Sequence, residues 1–262
     1  MRKIGEGDKS EVFDLGDERI LKLLKVKWAA LAAPEADIAG MLERAGVKAP
    51  RVLEVLERDG RPGIVFGNLP VGRTLSAEVR ARPWRIVACA RDLAERHAEV
   101  HRCTSTELPS QRQRLLDEIT RSDGITDRAR RMALEALESL PDGTQVCHND
   151  IHMLNVIVSD RGSSIIDWVL ATRGNPLADV TNALLQLRFG ERPKALPAAA
   201  ALEVGRAVFW RAYRARYLEL RPTARAELAR WELPVAAGLA GRREGRMRQQ
   251  LLERVAALTR LH

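Results

Sequence analysis

A chain of 262 residues, 45% hydrophobic and 30% charged, carries enough apolar material for a sizeable core and too much of it to be disordered. The longest apolar runs, such as Leu196–Leu202, fall far short of the roughly 20 residues of a membrane span, and Met1–Glu6 lacks the apolar stretch of a secretory signal, so a cytoplasmic protein with no membrane partner is expected. The net charge of +8 sits in residues 191–262, where 15 Lys and Arg face 7 Asp and Glu; aromatic residues do not interleave with these arginines as on a base-stacking surface, which argues against nucleic acid. Cys89, Cys103 and Cys147 are odd in number and widely spaced, so reduced thiols are expected and a disulfide framework is not.

The first third reads as β-rich. Strands are expected at Glu11–Leu15 and Arg19–Leu24 around the Gly16-Asp17-Glu18 turn, with only Met1–Gly5 left for a preceding strand. Pro34 opens a helix running to Ala45, where Ile38, Met41, Leu42 and Ala45 recur at helical spacing before Gly46. Strands at Val52–Leu56 and Gly63–Phe66 flank the Asp59-Gly60 turn. The Gly/Pro-punctuated Gly67–Gly72 reads as a linker, which divides the chain into an N-lobe over 1–67, a hinge over 68–72 and a C-lobe over 73–262. Trp84–His101 then forms an amphipathic helix, and Pro109 and Asp123-Gly124 separate further helical pieces. Short β segments at Gln145–Cys147, Val156–Val158 and Ser164–Ile166 frame a polar stretch. From Leu177 the chain is helical, broken at Pro193, Pro197, Pro222, Pro234 and Gly241. The result is a two-lobed α+β protein, a small antiparallel sheet with one helix beside a larger, mainly helical lobe.

The polar stretch Val146-Cys147-His148-Asn149-Asp150-Ile151-His152-Met153-Leu154-Asn155, followed by Ile165-Ile166-Asp167, carries the chemistry. Phosphoryl transfer needs one group to orient the attacking hydroxyl and hard oxygen ligands for the metal. Asp150 suits the first task; Asn155 and Asp167 suit the second, holding one or two Mg²⁺ ions on the nucleotide phosphates. His148 is expected to brace the loop against the Asp167 segment, and His152 to brace it or touch substrate. Upstream, Gly5 and Gly7 allow a tight loop to approach phosphates, and Lys22 is a cation in an otherwise apolar strand, awkward there unless it meets phosphate and a carboxylate. Glu35 in the following helix is the expected partner of Lys22, with Asp37 as competitor, and Asn68 in the linker joins the nucleotide set. His97-Ala98-Glu99-Val100-His101 resembles a zinc-protease helix, but its Glu is one position late and no third ligand is apparent, so ordinary packed histidines are expected. Trp28, Trp84, Trp210 and Trp231 are expected in the core or a groove.

With glycine loop, strand lysine, helix glutamate, His-x-Asp-x-His-x-x-Asn and Ile-Ile-Asp-Trp in this order, the chain resembles the aminoglycoside phosphotransferase-like (choline kinase-type) family of small-molecule kinases over nearly its whole length. The blocks Leu93–His101, Asp167–Val180 and Trp231–Ala237 carry the likeness further. The resemblance implies a protein-kinase-like fold and transfer of the γ-phosphate of ATP or GTP to a hydroxyl of a small molecule. It gives Asp150 the catalytic role, Asn155 and Asp167 the metal, Lys22 the nucleotide, and Asp179 the task of steadying the catalytic loop. Two departures stand out: the family's usual His-Gly-Asp is His148-Asn149-Asp150, and its frequent His-Pro-Gly-Asn is His152-Met153-Leu154-Asn155. Asn tolerates left-handed backbone, so the first change is mild; the second bears on loop geometry or substrate access. An inactive, regulatory nucleotide-binding protein and a Ser/Thr protein kinase are the alternatives. The latter is disfavoured because Asp167 is followed by Trp-Val, no Ala-Pro-Glu segment appears, and little room is left for an activation loop. A monomer or weak dimer is expected. The basic C-terminal region fits a polycationic aminoglycoside acceptor poorly.

Overall fold

A computed structural model of the chain describes residues 1–69, 71–190, 199–222 and 227–260. Five antiparallel strands, β1 (Arg2–Glu6), β2 (Ser10–Gly16), β3 (Arg19–Leu24), β4 (Arg51–Arg58) and β5 (Arg61–Gly67), form one sheet in the order β1-β2-β3-β5-β4. The tight turns carry the left-handed residues their geometry demands: Asp17 and Glu18 have φ of 50° and 57°, and Asp59 and Gly60 have φ of 52° and 66°. Alternation splits strand β3 between two faces. Leu21 and Leu23 cluster with Val65 on one side, while Leu24 and Ile64 pack with Ala32 on the other, the side of helix α1 (Ala32–Arg44). Helix α1 begins at Ala32 rather than at Pro34, because a 3₁₀ turn over Val26–Leu31 leads directly into it. Pro34 then falls in the first turn, where a missing N–H breaks no helical bond.

The rest is mainly helical. Thr74 caps a short helix α2 (Leu75–Ala81), its hydroxyl accepting from the Ala77 N–H at 3.2 Å. There follow α3 (Ile86–Val100), α4 (Gln111–Arg121) and α5 (Asp127–Ser139), then α6 (Pro176–Phe189), α7 (Ala199–Leu220), α8 (Glu232–Arg242) and α9 (Gly245–Arg260). Three small strands between α5 and α6 hold the polar stretch: β7 (Gln145–Cys147), β8 (Val156–Ser159) and β9 (Gly162–Ile165). Strand β8 pairs with β9 and with β6 (Arg73–Thr74), and β7 pairs with β10 (Thr172–Gly174), so the loops leaving β7 and β9 are anchored on both sides. Helix α6 is buried nearly all round, which lets it form the centre of this lobe.

Several sequence expectations are corrected. Trp84 is 77% exposed, in a 3₁₀ turn at Pro83–Arg85 that precedes α3, so it belongs to neither core nor groove, whereas Trp231 is buried. Pro234 and Gly241 do not break the chain; both lie inside α8, Pro234 in its first turn like Pro34 in α1. Helix α2 and strands β6 and β10 were not apparent from periodicity, being too short to show any. Pro193 and Pro197 lie outside the described residues. No helix among the described residues is long and apolar enough to cross a membrane.

Candidate active site

The sheet contributes one cation. Lys22, between Leu21 and Leu23 on β3, faces α1 and donates from Nζ to Glu35 Oε1 at 2.6 Å and to Asp167 Oδ1 at 3.1 Å. Glu35 is 5% exposed and Asp37 is exposed, so the helix presents the former. Burial works against the Lys22 charge, but the Asp167 and Glu35 carboxylates outweigh it and hold the ammonium above its ordinary range. The contact to Asp167 joins the sheet to the loop that follows β9. Lys25 pairs instead with Glu6 on a solvent-facing surface.

Gly5 and Gly7 occupy different positions from those a shared glycine loop would give them. Gly5 lies within strand β1, where an added Cβ would meet Val12 at an ordinary 3.7 Å. Gly7 lies in the β1–β2 turn, its N–H donating to the Ser10 carbonyl at 2.9 Å, with open space around it. Neither is among the residues with positive φ and neither is closely approached, so the fold itself does not require glycine at either position. Asn68 follows β5 directly, exposed and at φ 57°.

The loop after β7 is built around Asp179, which is fully buried in the first turn of α6. Its carboxylate accepts from the backbone N–H of His148 at 2.5 Å and of Asn149 at 2.8 Å, and faces His97 Nε2 at 3.0 Å and His101 Nε2 at 3.3 Å. The other ring nitrogens of these histidines meet the Tyr213 and Tyr217 hydroxyls at 2.6 and 2.7 Å. An acceptor-only carboxylate requires Nε2–H on both rings, so Nδ1 of each accepts from a tyrosine. Burial opposes the charge on Asp179, yet the two imidazoles hold its carboxyl well below the usual range. Burial and the neighbouring His97 push His101 down to about 3. The pair expected to be ordinary packed histidines thus supports the loop after β7 through Asp179. The i, i+4 spacing of His97 and His101 is repeated by Tyr213 and Tyr217 on α7, and that repeat was a usable signal.

The departure from His-Gly-Asp has a structural counterpart. Asn149 sits at φ 61°, the conformation glycine would adopt freely, but its side chain also works. Nδ2 donates to the Thr172 hydroxyl at 2.8 Å and the Leu170 carbonyl at 3.0 Å, and Oδ1 accepts from Gln111 at 3.0 Å. Asn149 therefore ties the loop to β10 and α4. Met153 and Leu154 need no left-handed backbone, and Leu154 is left 56% exposed.

Around this support the polar groups converge. His148 Nδ1 accepts from the Asp150 N–H at 3.2 Å, so its Nε2–H donates to the Ile166 carbonyl at 3.1 Å, linking the loop to the residue before Asp167. Asn155 Nδ2 donates to the Asp150 backbone carbonyl at 3.0 Å, and the Asn155 backbone carbonyl accepts from the Ile166 N–H at 2.9 Å. That arrangement leaves the Asn155 amide oxygen, with the half-exposed Asp167 carboxylate, as hard donors suited to a magnesium ion. His152 Nε2 is 3.7 Å from Asp150 Oδ2. Burial opposes the Asp150 charge, but His152, Arg243 and His148 together hold its carboxyl well below the ordinary range, so it is an anion at neutral pH.

Two further groups were missed from sequence. Asn182 and Gln186, three and seven residues after Asp179, continue its stripe along α6: Asn182 donates to the Asn149 carbonyl at 3.0 Å, and Gln186 donates to Asn182 at 2.7 Å. Arg243 donates from Nη2 to Asp150 Oδ1 and, at 2.6 Å, to Gln186 Oε1. Nothing in the sequence distinguishes Arg243 from its basic neighbours.

A family model described as a phosphotransferase enzyme family matches residues 1–218. No curated protein sequence matches the chain. Among solved structures, a thermostable mutant of aminoglycoside phosphotransferase APH(4)-Ia in ternary complex with AMP-PNP and hygromycin B is similar at a TM-score of 0.66 and 17% identity, over 98% of this chain and 92% of that one. A choline/ethanolamine kinase family protein from Mesorhizobium loti gives 0.61 and 17%, over 98% and 87%. Amicoumacin kinase hAmiN in complex with AMP-PNP, Ca²⁺ and Ami gives 0.59 and 16%, over 98% and 86%. At such identities these likenesses speak for the fold.

Proposed function

This chain belongs to the phosphotransferase enzyme family, and from that premise we propose that it moves the γ-phosphate of ATP or GTP onto a hydroxyl of a small molecule. The observation that carries the reading is the Lys22 ammonium held between Glu35 and Asp167, beside a loop that presents an ionised Asp150. Residues 1–67 act as the nucleotide lobe, 68–72 as the hinge and 73–262 as the catalytic and acceptor lobe. Lys22 meets the nucleotide phosphates with Glu35 fixing its position, and the strand end at Gly5, the Gly7 turn and Asn68 border the nucleotide. Asn155 and Asp167 would hold one or two Mg²⁺ ions, which supply charge neutralisation on the phosphates. Asp150 orients the acceptor hydroxyl and takes its proton as the new P–O bond forms and the bond to the β–γ bridging oxygen breaks, releasing the nucleoside diphosphate. His148, His152 and Asp179 keep the loop in shape. The free thiols of Cys89, Cys103 and Cys147 suit a cytoplasmic setting.

The test is an acceptor panel of aminoglycosides, macrolides, sugars, amino alcohols and nucleosides, followed by ADP release with and without Mg²⁺. Magnesium-dependent release above the acceptor-free baseline is expected for at least one class. Nucleotide binding with no release across the panel would put a regulatory nucleotide-binding protein in its place.

A further inference from the structure

Resting on the kinase reading of Asp150, we propose that the acceptor carries an anionic group, a carboxylate or phosphate, near the hydroxyl to be phosphorylated, and that Arg243 recognises it. Arg243 lies in the bend between α8 and α9, in extended backbone at φ −112° and two residues before Gly245 at φ 57°. It is therefore outside both helices. A single nitrogen, Nη2, makes both of its contacts, to Asp150 Oδ1 and Gln186 Oε1. Its Nε is buried and finds no hydrogen-bond partner among the described residues. A guanidinium has five N–H donors in a planar fork, and a carboxylate or phosphate oxygen pair is what that fork matches.

The position of Arg243 bears on which acceptors bind. Its Nη2 holds Asp150 Oδ1, while Oδ2 has only the looser approaches of Asn155 Nδ2 at 3.5 Å and His152 Nε2 at 3.7 Å, so Oδ2 is the oxygen left for an acceptor hydroxyl. A hydroxyl received there brings the rest of the acceptor beside the guanidinium. An anionic group offers acceptor oxygens to the N–H donors that Asp150 and Gln186 leave unused, whereas a cationic group is repelled by the same charge. A cleft of about 530 Å³ borders α8 at Gly241 and Arg242, next to Arg243, and is lined by Arg114, Arg121 and Arg242 with Asp117 and Glu118, one more cation than anion. The Glu118 carboxylate is itself shared, with Arg114 Nε at 2.7 Å and Arg242 Nε at 2.9 Å. Gln186, 6% exposed and fixed by Asn182, holds Arg243 in place beside Asp150.

The test uses the full chain, matched acceptors and two readouts. For ADP release, glycerate is set against glycerol, ribose 5-phosphate against ribose, and kanamycin is included as a polycation. The anionic member of at least one pair is expected to exceed its uncharged twin in kcat/KM by at least about tenfold. Arg243→Gln should raise KM for that compound by about 10- to 100-fold with a smaller change in kcat, and Arg243→Lys, which keeps charge but not the fork, should fall between. In thermal melts with a saturating non-hydrolysable ATP analogue, malonate as the anion probe should raise the wild-type Tm and leave that of Arg243→Gln unchanged. Equal malonate shifts in both proteins, or wild-type turnover of glycerol or kanamycin as efficient as that of the anionic compounds, would overturn the proposal while leaving the kinase reading intact. Absence of turnover with every acceptor would count against the kinase reading, and the malonate melts would still decide the role of Arg243.

Discussion

Asp179→Asn is the perturbation whose cost can be worked most fully from the structure. The native carboxylate receives the His148 and Asn149 backbone N–H groups at 2.5 and 2.8 Å and the His97 and His101 rings at 3.0 and 3.3 Å, at 0% exposure. An asparagine offers one carbonyl oxygen to these four donors and turns an NH₂ toward the others. Three of the four donors share Oδ2 and the Asn149 N–H has Oδ1, so with the amide oxygen at Oδ2 the Asn149 N–H is left against an NH₂ and the other three bonds lose their charge; water cannot replace what is lost. At about 1.5–3 kcal/mol for the lost bond to a charged group and about 0.5–1 kcal/mol for each of the three that become neutral, the expected loss is about 3–6 kcal/mol, in line with breaking a buried pair from one side. For a chain of this size about 1 kcal/mol corresponds to roughly 2–4 °C, so Tm should fall by roughly 6–24 °C. Calorimetric or fluorescence melts, with urea unfolding for the free energy, provide the assay. A variant melting within about 2 °C of the wild type would refute the assignment of an ionised, four-fold bonded Asp179.

Asn149→Gly relaxes a left-handed residue but removes the contacts to Thr172, Leu170 and Gln111; these outweigh the relief, and a net loss of about 1–3 kcal/mol is expected in urea unfolding. Stability should also fall in acid. His101 is held near 3 in the fold against an ordinary 6.5, so the unfolded chain binds its proton first, and the native state should lose about 2 kcal/mol between pH 7 and pH 5 from this group, measured by urea unfolding at each pH. Lys22→Ala should weaken ATP binding by at least about tenfold in equilibrium titration, since it removes the one sheet cation that reaches Asp167.

The parts legible in the sequence are those with a local spacing or a chemical anomaly. The distance from Asp150 to Asn155 and Asp167, and a lysine embedded among leucines in β3, both point to groups that the fold brings together. The sheet, helix α1 and the long helix α3 were legible through alternation and 3.6-residue periodicity. What stayed hidden depends on distant segments meeting. Tyr213 and Tyr217 reach the histidines only because α7 packs along α3, and Asn182 and Gln186 look like any polar positions until α6 is seen to be buried all round. Arg243 sits in a run of arginines and is singled out only by a bend that brings it to Asp150. Trp84 misled because an aromatic side chain ordinarily reads as core, whereas here it precedes the helix it was assigned to.

The most direct measurement is phosphoryl transfer by Asp150→Ala beside the wild type, with magnesium-dependent ATP binding followed in parallel. The variant should bind nucleotide much as the wild type does, because Lys22, Glu35, Asn155 and Asp167 are untouched, and should lose transfer to the acceptor by about 100-fold or more. Full transfer by Asp150→Ala would contradict the central claim that this carboxylate receives the acceptor hydroxyl.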